Sequence, residues 1–134
     1  MATSKVQIGF NPVATGLDIV IRDEALLVWN TDIAAFETWD DLNLADYAVA
    51  AEYVKGNMYT VQWPLIMPTG LNYMYITTLR SSASAPSLVD PYLGGGNVNW
   101  DKDTESLTLG GTGTGAGGDV LNIVHDTTQI INSQ

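Results

Sequence analysis

Apolar and polar residues alternate along four segments of the chain, and each segment ends beside turn-forming residues such as Asn, Pro or Gly. This alternation is the period of a β-strand with one buried face. The last segment places Tyr73, Tyr75 and Thr77 on one side. The segments are residues 5–10, 17–22, 58–63 and 71–79. With less regular apolar stretches at 25–30, 33–44 and 46–52, the total is about seven strands, spaced as in a β-sandwich or a small barrel. Residues 98–101 and 107–109 are candidates for short closing edge strands.

Three other stretches are less regular. Residues 33–44 (IAAFETWDDLNL) fit either a strand followed by an acidic loop or one helical turn. Residues 81–91 are rich in Ser, Pro and Ala, which predicts a loop. Residues 92–96 (YLGGG) predict a break in the chain, because successive glycines weaken a strand.

The pattern changes after residue 109, so that the chain divides into a β-domain (1–109), a Gly-rich linker (110–118) and a C-terminal amphipathic helix (119–134). Six of the nine linker residues are glycine. Asp119 stands where a helix N-cap belongs. A helix this short needs a partner for its apolar stripe, which is either the β-domain or copies of itself. The residues of the stripe, and the candidates for oligomerisation, are Val120, Ile123, Val124, Thr127, Ile130 and Ile131.

Charge and composition exclude several kinds of partner. The formal net charge is −10, and the five basic residues are scattered. Nucleic acids and anionic membrane surfaces both need clustered Lys and Arg, so neither is an expected partner. The chain has no cysteine, which rules out disulfides and thiolate metal sites. No apolar run approaches the length of a membrane-spanning helix.

Two acidic clusters are candidates for metal or acid–base chemistry. Asp40, Asp41, Asn43 and Asp46 offer oxygen ligands for Ca²⁺, but their spacing is not that of an EF-hand, and a solvated acidic loop is the expected state. Residues 101–105 hold three carboxylates at alternating positions, but nothing around them implies a pocket, so glycosidase chemistry is not expected.

The remaining polar motifs do not predict an enzyme. The single histidine, His125, has no second histidine or cysteine with which to share a metal, and we expect it to face solvent. The glycine run lacks the Lys-Ser/Thr pair of a phosphate-binding loop. The sequence therefore predicts a non-enzymatic protein without cofactor or metal.

The four tryptophans are the last candidates. Trp29 and Trp63 lie among apolar residues at strand ends, which predicts burial in the core of the sandwich. Trp39 stands beside Asp40 and Asp41, and it is the tryptophan that we expect to be exposed. An exposed tryptophan can contact either a protein partner or a sugar ring.

The order of motifs between about residues 5 and 101 resembles that of tailed-bacteriophage virion structural proteins with a small immunoglobulin-like β-sandwich. In these proteins a hairpin of the form G-x-Y … P … G-x-Y precedes an edge that contains Trp. Here each G-x-Y carries one inserted residue. The matching stretches are Phe36–Trp39, Asp46–Ala48, Glu52, Gly56–Tyr59, Pro64, Pro68–Gly70, Tyr73 and Val98–Trp100.

The resemblance implies an immunoglobulin-like β-sandwich of about seven strands. It implies a structural role in the virion, assembled in the host cytoplasm, as an anchor for a tail fibre or appendage or as a neck or head decoration. The expected partners are other virion proteins and copies of the chain, with a trimer favoured. It carries over no catalytic residue. The alternative function is a carbohydrate-binding adhesin domain that uses exposed aromatic residues; an accessory domain of a hydrolase ranks below both.

Overall fold

A computed structural model describes residues 3–109 and the backbone of residues 124–126. Eleven strands form within these residues, together with one 3-10 turn, Asp41–Asn43, and one short helix, α1, Leu44–Tyr47. The strands are β1 Lys5–Gly9, β2 Leu17–Arg22, β3 Val28–Asn30, β4 Ala35–Glu37, β5 Val49–Ala50, β6 Glu52–Tyr53, β7 Met58–Gln62, β8 Gly70–Leu79, β9 Tyr92–Asp101, β10 Ser106–Leu109 and β11 Val124–Asp126.

The strands form two sheets, which confirms the predicted all-β sandwich. The smaller sheet has the order β11-β1-β7-β6, and the larger has the order β10-β9-β8-β2-β3-β4, with β5 also paired to β2. Among the described strands, the pairing of β11 with β1 is parallel and the other pairings are antiparallel. The count exceeds the predicted seven because several strands have only two or three residues.

The core lies between the sheets, where each long strand buries every second side chain. In β1, Val6 and Ile8 are fully buried, and in β8 the predicted face of Tyr73, Tyr75 and Thr77 is the buried one. Alternate burial of this kind follows from the pleat of the strand. The predicted burial of two tryptophans is also confirmed, since Trp29 and Trp63 both belong to this core.

Strand β2 differs because five of its six residues are buried. Its inner face joins the main core, while Val20 on the outer face belongs to a second, smaller cluster with Val28 and Tyr47. The segment between β4 and β5 covers this outer face and contributes the partly buried Trp39 and Leu44. A sheet covered on both sides explains why the apolar run of β2 is nearly continuous.

Two local predictions are wrong. Residues 46–52 do not form one strand: α1 ends at Tyr47, and two-residue strands follow it. Residues 92–96 do not break the chain, because they begin the ten-residue strand β9. A Cβ atom on Gly95 would lie 2.0 Å from the backbone oxygen of Tyr75, so the glycine permits β9 to approach β8 closely.

The prediction of a C-terminal helix is wrong at Val124–Asp126, where the backbone is strand β11. Gln7, Ile8 and Gly9 of β1 are its register partners. A short apolar run fits a helix and a buried strand equally well, and here pairing with the edge of β1 decides the outcome. The linker 110–118 and the other residues of the predicted helix lie outside the described residues.

The tyrosines of the G-x-Y motifs have structural roles. The Tyr59 hydroxyl accepts a hydrogen bond from the Val13 amide at 2.8 Å, and the Tyr73 hydroxyl donates to the Pro68 carbonyl at 2.7 Å. A Cβ atom on Gly70 would lie 2.6 Å from the Tyr73 hydroxyl. These motifs therefore hold loops against the two sheets. Their residues serve to form strands and turns.

Candidate functional site

The outer face of the larger sheet carries a groove with a cavity of about 150 Å³. A cavity of this volume has room for one aromatic ring or one branched aliphatic side chain. We call it the Trp39 groove. It is lined by Val20, Arg22, Trp39, Leu44, Ala48, Ile76, Thr78, Pro86, Ser87, Leu88 and Asp90.

The floor of the groove comes from the two central strands of the sheet. Val20 of β2 is the register partner of Ile76 of β8. Arg22 and Thr78 lie two residues further along each strand, so strand alternation places them on the same outer face. The floor is thus an apolar centre with a guanidinium at one end.

One wall is built around Trp39, which is half-buried rather than freely exposed as predicted. Its indole N–H donates to Asp41 Oδ1 at 2.6 Å, and its ring lies 4.7 Å from that of Tyr47, centroid to centroid. The Arg22 guanidinium lies over the same indole, 4.8 Å from the ring centroid. The cation–π contact and the indole hydrogen bond fix the orientation of the tryptophan.

A cluster around Glu37 supports this wall. Glu37 Oε2 accepts hydrogen bonds from the Tyr47 hydroxyl at 2.5 Å, from Asn43 Nδ2 at 3.0 Å and from Asn30 Nδ2 at 3.3 Å. The Tyr47 hydroxyl also accepts from the Asp40 amide at 3.0 Å. The hydrogen bond from Tyr47 is the largest cause that lowers the pKa of Glu37, followed by those from Asn43 and Asn30. Burial and then the hydrogen bond to Glu37 raise the pKa of Tyr47.

The opposite wall is the segment between β8 and β9, which Asp90 holds in shape. Its two carboxylate oxygens accept from the amides of Ser81 and Ser87, both at 2.9 Å. Burial raises the pKa of Asp90, but these hydrogen bonds and the charge of Arg80 outweigh it, so that the pKa is lowered overall. Leu88 stands on the rim of the groove with 58% of its surface exposed.

The polar groups of the groove hold its walls in place, since Trp39 is bonded to Asp41 and Asp90 to the amides of Ser81 and Ser87. Asp90 is stabilised as an anion, whereas a general acid or base near neutral pH needs a raised pKa. Ser87 lies beside it, but the single histidine of the chain, His125, is in β11 of the other sheet. The groove thus offers an apolar cavity between a cation and an anion, which is a binding geometry.

Local structure accounts for the two acidic clusters found in the sequence. Asp40 caps the 3-10 turn by accepting from the Leu42 amide at 3.0 Å, and Asp41 holds Trp39. Asp101 accepts from the amide of Asp103 at 2.9 Å within the turn that follows β9. Within residues 3–109 and 124–126, no group of three or more His, Cys, Asp or Glu residues is placed to hold a metal ion.

The sequence pattern identified one wall of the groove and missed the other. The segment 86–90 is a loop, as predicted, but nothing in its own residues indicates that it lines a groove together with β2. Among the proposed oligomerisation residues, Val124 lies in β11. The others, Val120, Ile123, Thr127, Ile130 and Ile131, lie outside the described residues.

Comparison of the chain with protein-family models, with curated proteins and with solved structures found no match. The described part of the chain contains no helix long and apolar enough to cross a membrane. The resemblance to tailed-bacteriophage virion proteins therefore depends on the sequence motifs alone.

Proposed function

We propose that this chain is a non-enzymatic structural component of a tailed-bacteriophage particle. In this role it anchors or forms a fibre or appendage, or decorates the neck or head, through protein–protein contacts. The Trp39 groove is the observation that carries the proposal. An apolar cavity the size of one side chain, bordered by Trp and Arg, matches the pockets that receive anchor residues at protein interfaces.

Exposed apolar side chains around the groove support a protein partner. Leu88 on the rim is 58% exposed, Val89 next to it in the chain is 79% exposed, and Leu42, which follows Asp41 in the Trp39 wall, is 91% exposed. Neighbouring exposed apolar residues of this size mark interaction sites on proteins.

Charge defines the expected partner further. Asp40 and Asp41 lie on the exposed side of the Trp39 wall, and the chain carries a net charge of −10. We infer that the partner is another virion protein which inserts one apolar side chain and flanks it with Lys or Arg. Complementary charge of this kind speeds association and excludes wrong partners.

The adhesin alternative has one favourable observation, the presence of Trp39 in the groove wall. Arg22 and Tyr47 both contact its ring, however, and an indole that stacks on a sugar needs an open face. Titration with glycans separates the two functions. A saturable change of tryptophan fluorescence that disappears in Trp39→Ala would favour the adhesin.

Two measurements test the assembly function. Mass spectrometry of purified particles, produced from the genome that encodes this chain, should find it at a fixed copy number. Light scattering should find a closed oligomer, for which a trimer is favoured. Absence from the particles would refute the virion role, and a strict monomer at high concentration would refute self-assembly.

A substitution tests the groove. Leu88→Asp should weaken binding of the virion protein that neighbours this chain in the particle by at least tenfold, because it replaces an apolar contact at the rim with a charge that must lose its water when the partner binds. Leu71→Asp is the matched control, since Leu71 is 65% exposed and lies outside the groove. Equal affinity of the two variants would remove the groove from the interface.

A further inference from the structure

A second cavity, of about 370 Å³, lies on the same outer face of the larger sheet as the Trp39 groove. Strand β8 contributes to both, since Ile76 and Thr78 line the groove while Asn72 and Met74 line the second cavity. Met74 and Ile76 are two residues apart in the strand, so their side chains point to the same face. We call it the Asp23 cavity. It is lined by Asp23, Glu24, Leu26, Asn72, Met74 and Asn97.

The turn between β2 and β3 forms one side of the Asp23 cavity. Asp23 Oδ1 accepts hydrogen bonds from the amides of Ala25 and Leu27, both at 3.0 Å. Glu24 Oε2 accepts from Asn72 Nδ2 at 3.1 Å, which joins the turn to β8. These hydrogen bonds hold two carboxylates at the cavity before any partner is bound. Binding there therefore requires little further ordering of the turn.

The cavity also has apolar surface, which Leu26 and Met74 supply. Leu26 has a φ of 67°, in the left-handed region that glycine adopts more readily, and 60% of its surface is exposed. Met74 is half-buried and lines the cavity from β8. Apolar surface beside carboxylates suits the side chain of Lys or Arg, because its aliphatic stem packs on the one while its charged end approaches the other.

The negative charge of the cavity is not neutralised by the part of the chain that the structure describes. Among those residues, neither Asp23 nor Glu24 forms an ion pair. Arg22 precedes Asp23 in the chain, but its guanidinium lies over the Trp39 indole and donates to the Leu26 carbonyl at 2.8 Å. The Asp23 cavity is therefore complementary to a cation supplied by a partner.

The spacing of the two cavities matches the repeat of an extended chain. Met74 of the Asp23 cavity and Thr78 of the groove are four residues apart on β8, which is about 13 Å along a strand. In an extended segment of a partner, side chains four residues apart are separated by the same distance and point to the same side. A segment that lies along β8 thus reaches both cavities.

We propose that the outer face of the larger sheet binds one extended segment of a partner protein. The segment places an apolar side chain in the Trp39 groove and a Lys or Arg side chain, four residues away, in the Asp23 cavity. The inference rests on the proposed function for the identity of the partner as a virion protein, and it names the segment by which that partner binds. The two contacts reinforce each other, because the first makes the second intramolecular.

Synthetic peptides test the spacing. The probes carry blocked ends and have Leu and Arg separated by three threonines, in both orders, because a sheet face accepts either chain direction. Threonine favours an extended chain. ¹H–¹⁵N NMR follows the indole N–H of Trp39 in the groove and the side-chain amide of Asn97 in the cavity. In at least one order, the peptide should shift both signals in a saturable way.

Peptides with two threonines between Leu and Arg are the matched control, since an extended chain then points the two side chains to opposite sides. They should bind about fivefold more weakly or worse, because only one cavity is filled at a time. Citrulline in place of the peptide Arg keeps a similar shape without the charge. It should weaken binding by a similar factor.

Substitution of Glu24 tests the cavity from the side of the protein. Glu24→Gln removes one charge and still accepts the hydrogen bond from Asn72, whereas Glu24→Lys reverses the charge. Affinity for the peptide should fall about threefold in the first variant and about tenfold or more in the second. Glu52→Lys, at an exposed position on β6 of the smaller sheet, changes the net charge equally and should bind as the wild type does.

Three results would overturn the inference: equal affinity for the two spacings, a citrulline peptide that binds as well as the Arg peptide, or no saturable shift at Asn97. The neighbouring virion protein separates the inference from the proposed function. If Leu88→Asp weakens binding of that protein while Glu24→Lys does not, the Asp23 cavity is not part of the interface and the proposed function stands.

Discussion

Arg80 Nε donates to Asp18 Oδ2 at 2.6 Å, and the pair joins residues 62 positions apart in the chain. Asp18 is 1% exposed, and its second oxygen, Oδ1, is buried without a hydrogen-bond partner. The hydrogen bond to Asp18 is the main cause that raises the pKa of Arg80. The ion pair fastens the start of β2 to the residue that follows β8.

Arg80→Met should lower the free energy of unfolding by about 3 kcal/mol, because it leaves the Asp18 carboxylate buried without its cation. Urea unfolding followed by tryptophan fluorescence measures the change. The double variant Asp18→Leu/Arg80→Met should recover at least half of the loss, since the buried charge is gone. If Arg80→Met unfolds at the wild-type urea concentration, the ion pair does not stabilise the fold.

Two buried tryptophans provide a matched comparison. Trp100 Nε1 donates to the Met67 carbonyl at 2.8 Å, whereas Trp63 Nε1 is buried without a partner. Trp100→Phe should cost about 3 kcal/mol, because it loses volume and leaves the Met67 carbonyl unpaired. Trp63→Phe loses similar volume but removes an unsatisfied N–H, so its cost should be about 1 kcal/mol smaller. Equal costs, measured by chemical unfolding, would show that the Trp100 hydrogen bond contributes little.

The main sandwich was predictable because its long strands bury every second residue. The buried positions are apolar or aromatic, and they alternate with residues that are not fully buried. They are Val6 and Ile8 in β1, and Tyr73 and Tyr75 in β8. Such a pattern is local, so one sequence reveals it. The four-residue helix α1 was not predictable, since one turn is too short to show a helical period.

The remaining features depend on contacts between distant residues. The run Gly94–Gly96 predicts a break in the chain when it is considered alone. In the fold, the backbone of Tyr75 lies so close to Gly95 that a glycine is needed there. Trp39 was identified from its acidic neighbours, but the opposite wall around Leu88 has no sequence signal that points to β2. The C-terminal apolar run was predicted to be helical because nothing in its own residues indicates the free edge of β1.

Gly95 and Gly96 test the close approach of β9 to β8. An added Cβ at Gly95 meets the backbone oxygen of Tyr75 at 2.0 Å, whereas at Gly96 it meets the side-chain ring of Tyr75 at 3.2 Å, where a shift of a few tenths of an ångström relieves the contact. Gly95→Ala should therefore destabilise the fold by about 3 kcal/mol or more, and Gly96→Ala by about 1 kcal/mol. Thermal unfolding followed by circular dichroism distinguishes them. Similar melting temperatures for the two variants would contradict the packing described for β9.

The Glu37 cluster predicts a dependence of stability on pH. Hydrogen bonds from Tyr47, Asn43 and Asn30 favour the carboxylate and lower the pKa of Glu37 in the folded protein. A carboxyl whose pKa is lower in the folded protein than in the unfolded chain stabilises the fold. This stabilisation is fully present above the ordinary pKa of glutamate, and it is lost as the pH falls through the pKa of the folded protein. The free energy of unfolding should therefore decrease on acidification more steeply in the wild type than in Glu37→Gln.

Glu52→Gln, at an exposed position on β6, is the control for loss of one carboxyl and should retain the steep wild-type curve. Tyr47→Phe should flatten the curve as Glu37→Gln does, since it removes the main donor while the glutamate remains. Carboxyl ¹³C shifts measured by NMR report the pKa of Glu37 directly, and that pKa should rise in Tyr47→Phe. If Glu37 titrates at the same pH with and without the Tyr47 hydroxyl, the hydrogen bond does not stabilise the carboxylate, and the support of the Trp39 wall must come from the packing of Tyr47 against Trp39 alone.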